Sequence, residues 1–243
     1  MLNSAQARHA VLLVAALVLF CMGFLAPMSC VAAPPDGVVP ITAEPDHKIR
    51  LDNGKVRIIE VVLPKGKATL FHEHLYDAFF VFFRNAEITS EPFKGKSVAT
   101  KTPVGSVGFT PTSSGPYAHR VIASSEDTVH VIATELLTPP AAAGAASASE
   151  SRFPPFEVAL ENPRGRIYRL QLNPGESADG FTRPARTAVF AISSGRISEK
   201  PEGKPARLWN FEPGHFRWIE ASEELSLKNE GTVPIELVEI EIY

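Results

Sequence analysis

Residues 66–83 decide the fold of this chain, and they read Gly66-Lys67-Ala68-Thr69-Leu70-Phe71-His72-Glu73-His74-Leu75-Tyr76-Asp77-Ala78-Phe79-Phe80-Val81-Phe82-Phe83. The aromatic and apolar run that closes this stretch predicts a buried strand. Side chains two positions apart on a strand point to the same face, so His72 and His74 project together while Glu73 projects away. Imidazoles are common ligands of transition metals, and two on one face can bind one ion.

A third histidine follows at a distance along the chain. A Gly-rich and Pro-containing stretch over 105–111 precedes a second apolar run, 119–122, which begins with His119. If that run is another strand, it brings a third imidazole to the same point. Of the other histidines, His130 lies in a Val/Ile-rich run and is expected to be a hydrogen-bonded core or edge residue. His47 lies in a turn-like context and is expected to face solvent.

The rest of the chain also favours β-structure. Short runs rich in β-branched and aromatic residues, such as 56–62 and the alternating 234–242, are separated by Gly, Pro, Asn and Asp. No stretch sustains an amphipathic helical period. The sequence therefore predicts an all-β sandwich or barrel.

The chain contains an internal repeat. When its halves are offset by 109 positions, Leu51-Asp52-Asn53 falls on Leu160-Glu161-Asn162, Gly66 on Gly175 and Gly105 on Gly214. The segment between the halves is rich in Ala, Pro and Ser and is expected to be a linker. The predicted divisions are a signal peptide (1–33), a Pro-rich leader (34–45), a first domain (46–138), the linker (139–151) and a second domain (152–243).

The N-terminus predicts export to the periplasm or the extracellular space. An apolar run over 11–25 precedes the small residues 31–33, where a signal peptidase could cut. If the signal is not cleaved, residues 11–27 would anchor the protein to the membrane. Both cysteines, Cys21 and Cys30, lie in this segment. The mature chain would then have no disulfide and no thiolate ligand, so nitrogen and oxygen atoms must hold any metal.

The pattern around the histidines resembles the cupin superfamily. Its first motif is a glycine, five residues, His-x-His and an acidic residue about four further on, and its second is a glycine, a proline and a histidine. The resemblance implies two tandem cupin-type jelly-roll barrels, with one metal held by His72, His74 and His119 in the mouth of the first. The acidic ligand of the family would fall near Ala78 and is missing, and Asp77 is expected to face outward.

The second half resembles a cupin domain that has lost its metal site. On the same offset, Phe181, Arg183 and Leu225 occupy the places of the three histidines. Degenerate halves of such proteins usually serve packing or dimerisation, so a homodimer formed through the barrels is an expected assembly. An alternative is that Arg183 and Arg186 line an anion-binding pocket.

The resemblance implies a metal-dependent enzyme with dioxygenase-like chemistry on a small organic substrate. One divalent transition metal is expected, Fe first and Mn, Zn, Ni or Cu as alternatives. Tyr76 and Tyr117 are candidate substrate contacts, and no residue is assigned as general base. The alternatives are a non-catalytic periplasmic protein that holds a ligand or a metal, and a cupin without metal. Charge is nearly balanced, with 24 Lys and Arg against 27 Asp and Glu, which favours a small-molecule partner over nucleic acid.

Overall fold

Strands account for nearly all the regular structure in the described part of this protein. The computed structural model describes residues 33–112, 115–139 and 152–243. The predicted signal peptide, with Cys21 and Cys30, and the predicted linker lie outside the described residues except for Ala33 and Pro139. Across the described ranges, no helix has both the length and the apolar character needed to cross a bilayer.

The first half of the chain forms two five-stranded sheets. Its elements are β1 (Val39–Pro40), a short 3-10 helix (Ile41–Ala43), β2 (His47–Asp52), β3 (Val56–Leu63), β4 (His72–His74), β5 (Ala78–Phe82), β6 (Ala86–Pro92), β7 (Val98–Thr102), β8 (Val107–Thr110), β9 (Tyr117–Ala123) and β10 (Val129–Leu136). One sheet has the order β1-β4-β9-β6-β7 and the other has the order β2-β3-β10-β5-β8. Apolar side chains between them, including Ile59, Leu63 and Phe82, form the core of the first barrel.

The second half repeats this arrangement with one strand fewer. Its elements are β11 (Phe156–Asn162), β12 (Gly165–Leu172), β13 (Ser177–Arg183), β14 (Thr187–Ala191), β15 (Gly195–Pro201), β16 (Arg207–Phe211), β17 (Phe216–Ile219), β18 (Glu223–Asn229) and β19 (Ile235–Ile242). The two sheets are ordered β11-β12-β19-β14-β17 and β13-β18-β15-β16. The prediction of an all-β protein with two jelly-roll barrels is confirmed.

The strand register supports the internal repeat found in the sequence. His72 on β4 lies opposite His119 on β9, and Phe181 on β13 lies opposite Leu225 on β18. The two pairs are therefore equivalent positions in the two barrels. Gly66 and its counterpart Gly175 also share a left-handed backbone, with φ of 76° and 78°, which glycine adopts without steric cost.

Each barrel has its own apolar core, and a third apolar core lies between the two barrels. Alternate residues on β3, β5 and β10 point away from the first barrel and meet alternate residues on β12, β14 and β19 of the second. The buried members of this interface core are Val56, Ile58, Phe79, Val81, Phe83, Ile132 and Leu136 from the first half, and Ile167, Ala188, Phe190, Ile192, Val238, Ile240 and Ile242 from the second. Several strands are buried on both faces as a result, and residues 34–243 form one compact unit.

Asp77 points out of the first barrel, as predicted, and is buried in this contact between barrels. Strand β4 ends at His74 and β5 begins at Ala78, so Asp77 lies in the short connection between these two strands. The carboxylate is 3% exposed, accepts a hydrogen bond from the backbone N–H of Thr112 at 2.8 Å and pairs with Arg164 at 3.0 Å. Asp77 therefore joins the barrels and lies outside the histidine cluster.

Candidate metal centre

Three histidines converge where β4 and β9 pair. One ring nitrogen from each of His72, His74 and His119 lies within 4.8 Å of the other two, and the Nε2 atoms of His74 and His119 are 3.1 Å apart. Among the described residues, these three form the one group of histidine, cysteine or carboxylate side chains that could hold a metal ion. Antiparallel pairing supplies His119 opposite His72, and the period of two along β4 adds His74.

Hydrogen bonds orient two of the rings. The Nδ1–H of His72 donates to the carbonyl oxygen of Leu70 at 2.9 Å, which leaves Nε2 as the unprotonated nitrogen. Nδ1 of His119 lies 3.0 Å from the hydroxyl of Ser90. Both rings therefore turn Nε2 toward the cluster, and a hydrogen bond to the other ring nitrogen orients metal-binding histidines in the same way.

Burial keeps the three imidazoles neutral. Burial, with a smaller effect of His47, lowers the pKa of His72 to about 4, and burial with the nearby His72 and His47 lowers that of His119 to about 3. The pKa of His74 also lies well below its usual value, first because of burial and then because of His119 and His72. Neutral imidazole is the form that binds metal, so the site is prepared for a cation at neutral pH.

The polar atoms of the cluster fit a metal ion. Nε2 of His72 is buried and has no hydrogen-bond partner among the described residues, which is costly unless another group satisfies it. Two nitrogens that each lie about 2.1 Å from one ion are about 3.0 Å apart in octahedral and about 3.4 Å apart in tetrahedral coordination, and the 3.1 Å between His74 and His119 falls in this range. The donor set also suits a borderline transition metal.

Glu135 supplies a carboxylate that the motif did not reveal. It lies on β10 in register with Ala78, and its Oε1 is 3.9 Å from Nδ1 of His74. Burial raises the pKa of Glu135 to about 7, and Arg57, whose Nη1 is 3.0 Å from Oε2, partly opposes this. Both Oε1 and Nδ1 of His74 are buried with no hydrogen-bond partner among the described residues. A small adjustment would let this carboxylate orient His74 as an outer-sphere partner.

His47 lies beside the cluster, so the prediction that it faces solvent is wrong. Its side chain is 7% exposed, and its ring centroid is 4.4 Å from that of His72. The Nδ1–H donates to Glu44 at 2.5 Å, and Glu44 also accepts from the backbone N–H of Leu70. This contact holds the β4 side of the site in place. The turn-like local sequence gave no sign of it.

The two candidate tyrosines differ in position. The ring of Tyr117 lies 4.8 Å from that of His119 and 6.4 Å from that of His74, so its side chain borders the cluster. Tyr76 follows the end of β4 and, among the described residues, makes no ring contact with the three histidines. Substrate contact by either tyrosine remains a prediction.

The second barrel places an ion-pair network at the corresponding position. The guanidinium of Arg183, 2% exposed, donates to Glu239 at 2.6 and 3.1 Å and to Glu199 at 3.2 Å. Burial alone would raise the pKa of Glu239, but Arg183 and Arg152 lower it to about 2. The alternative of an anion pocket lined by Arg183 and Arg186 is wrong, because Arg183 is committed to carboxylates and Arg186 donates to the hydroxyl of Thr138.

Solved structures share this architecture at low sequence identity. AerE from Microcystis aeruginosa is 11% identical, with a TM-score of 0.56, and the match covers 82% of this chain and 98% of that chain. A mutant of Bacillus subtilis oxalate decarboxylase is 13% identical, with a TM-score of 0.50 and coverage of 81% and 75%. Another structure of that enzyme concerns its Mn(II) centres. A cupin 2 conserved barrel domain protein from Leptotrichia buccalis is 13% identical, with a TM-score of 0.49 and coverage of 81% and 88%.

Neither a protein-family model nor a curated protein matches the chain. At these identities, the first two structural matches establish a shared fold.

Proposed function

We propose that this chain, which has the two-barrel cupin fold, is an exported metal-dependent enzyme that acts on a small organic substrate. His72, His74 and His119 would hold one divalent transition metal, with dioxygenase-like chemistry as the leading reaction class. The observation that carries the proposal is the convergence of three neutral imidazoles, of which that of His72 is buried and presents an Nε2 with no hydrogen-bond partner in the described part of the chain. Export and the small-molecule partner rest on the sequence.

The metal would act as a Lewis acid that binds and polarises an oxygen-bearing ligand. With three neutral ligands the ion would keep its full positive charge, so the site would favour an anionic substrate group. Glu135 would orient His74, and Ser90 would orient His119, each through the Nδ1 atom of the imidazole. Tyr117 would border the ligand.

A non-catalytic metal- or ligand-binding protein is the second candidate. It is favoured by the closed geometry of the site, because His72 is 0% exposed and the side chain of His74 is 13% exposed. A bare ion needs less room at these nitrogens than an organic substrate does.

Metal analysis of the purified mature protein tests metal binding. We expect about one equivalent of a transition metal per chain, lost in a His72→Ala/His74→Ala double variant and kept in His215→Ala, which changes an exposed histidine. Equal metal content in the unchanged protein, the double variant and His215→Ala would show that the three histidines hold no metal, and would support a cupin without metal. Oxygen-uptake screening of the loaded protein then separates the two candidates. A redox-inert ion such as zinc would contradict the dioxygenase-like enzyme and favour the non-catalytic binding protein.

A further inference from the structure

The second barrel encloses a cation from its own chain. The side chain of Arg152 is 3% exposed, and its Cζ lies 4.7 Å from the ring centroid of Phe156, 4.7 Å from that of Tyr168 and 4.9 Å from that of Phe181. Its Nη1 donates to Glu239 at 2.7 Å and its Nη2 to Glu241 at 2.6 Å. We call these three rings and two carboxylates the Arg152 cage.

The chemistry of the cage matches a guanidinium group. Aromatic faces attract a delocalised cation. A planar guanidinium can contact rings with its faces while its N–H groups reach carboxylates at its edge. Each carboxylate binds a different terminal nitrogen of one planar group, an arrangement that suits the guanidinium fork better than a compact ammonium group. The cage therefore favours guanidinium over ammonium by shape, since the two cations carry the same charge.

The cage occupies the place that the histidine cluster has in the first barrel. Phe181 lies opposite Leu225 as His72 lies opposite His119, and Glu241 lies opposite Thr187 as Glu135 lies opposite Ala78. The same region of the fold thus carries imidazoles for a metal in one barrel and rings with carboxylates for an organic cation in the other.

The cage and its occupant come from different parts of the chain. Strands β11, β12, β13 and β19 supply the cage, whereas Arg152 precedes β11 on a short segment. That segment borders a cleft of about 420 Å³, which Phe156 and Phe181 also line, and the neighbouring Phe153 is 83% exposed. The occupant can therefore be removed without altering a strand.

We propose that the Arg152 cage is a binding site for guanidinium compounds, which Arg152 fills in cis and which an external alkylguanidinium occupies when that side chain is absent. The site is independent of metal binding in the first barrel.

The test uses the full chain with Arg152→Ala and N-ethylguanidinium, which replaces the atoms that the substitution removes. We expect the thermal midpoint of the variant to fall by about 10 °C, because Glu239 and Glu241 both lose a buried cationic partner, although Glu239 keeps Arg183. Millimolar N-ethylguanidinium should restore part of this loss in a saturable manner, whereas ethylammonium should not. Neither the unchanged protein nor Arg207→Ala, which removes a guanidinium that is 51% exposed, should gain stability from the probe.

Three results would overturn the proposal: an unchanged midpoint in Arg152→Ala, no gain with N-ethylguanidinium, or an equal gain in all proteins. If Arg152→Ala does not fold, Arg152→Lys keeps the charge while losing the fork. It should have a lower midpoint than the unchanged protein, and an equal midpoint would also contradict guanidinium recognition.

Discussion

Acid should destabilise the metal-free protein through His72, and the effect can be isolated with one substitution. The ring is 0% exposed and its pKa is lowered to about 4, whereas an unfolded histidine titrates near 6.5. The folded pKa is depressed, so below pH 6.5 the unfolded chain binds a proton that the folded chain does not. The free energy of unfolding is therefore highest above pH 6.5 and decreases as pH falls toward 4.

The magnitude follows from the same two pKa values. Between pH 6.5 and pH 5, His72 alone should remove about 1.5 kcal/mol from the free energy of unfolding. His72→Asn is the matched variant, since its amide can donate to the carbonyl of Leu70 but does not titrate in this range. The assay is urea unfolding in the presence of a chelator at several pH values. The variant should lose less stability than the unchanged protein, by about that amount, and parallel pH profiles would refute the reasoning.

Three further predictions concern other contacts. Glu135→Gln should weaken binding of a divalent metal by about 10-fold or more, because His74 loses its nearby carboxylate, and calorimetric titration with Zn²⁺ measures this. Phe190→Ala should lower the free energy of unfolding by about 3–5 kcal/mol in urea, whereas Leu208→Ala, at a side chain 54% exposed, should change it by less than about 0.5 kcal/mol. Asp77→Ala should cost about 3 kcal/mol or more by the same assay, since it leaves Arg164 without this buried partner, and a neutral result would show that the contact contributes little.

The histidine cluster could be predicted because its signal is local. His72 and His74 lie two apart on one strand, and the resemblance to a known motif brings in His119. Alternation along β4 and the pairing of β4 with β9 then bring the nitrogens together, as the spacing predicted. The β-rich runs and the internal repeat predicted the two barrels for a similar reason, since each depends on patterns that are visible within one strand or one half.

Contacts made through distant pairing could not be predicted. Glu135 reaches His74 only because β10 lies beside β5 in one particular register, and nothing near residue 135 indicates that register. His47 becomes buried through Glu44 and His72, although its own neighbours resemble a turn. The alternating glutamates of β19 have no local partner in the sequence, and the arginines that satisfy them come from other segments.

The interface core separates two kinds of evolutionary constraint within single strands. On β14, Ala188 and Phe190 support the first barrel, while Val189 and Ala191 face the interior of the second. The inward face of such a strand can change its chemistry without disturbing the outward face. The first barrel therefore depends on the surface that the second barrel provides, whatever the second barrel holds inside.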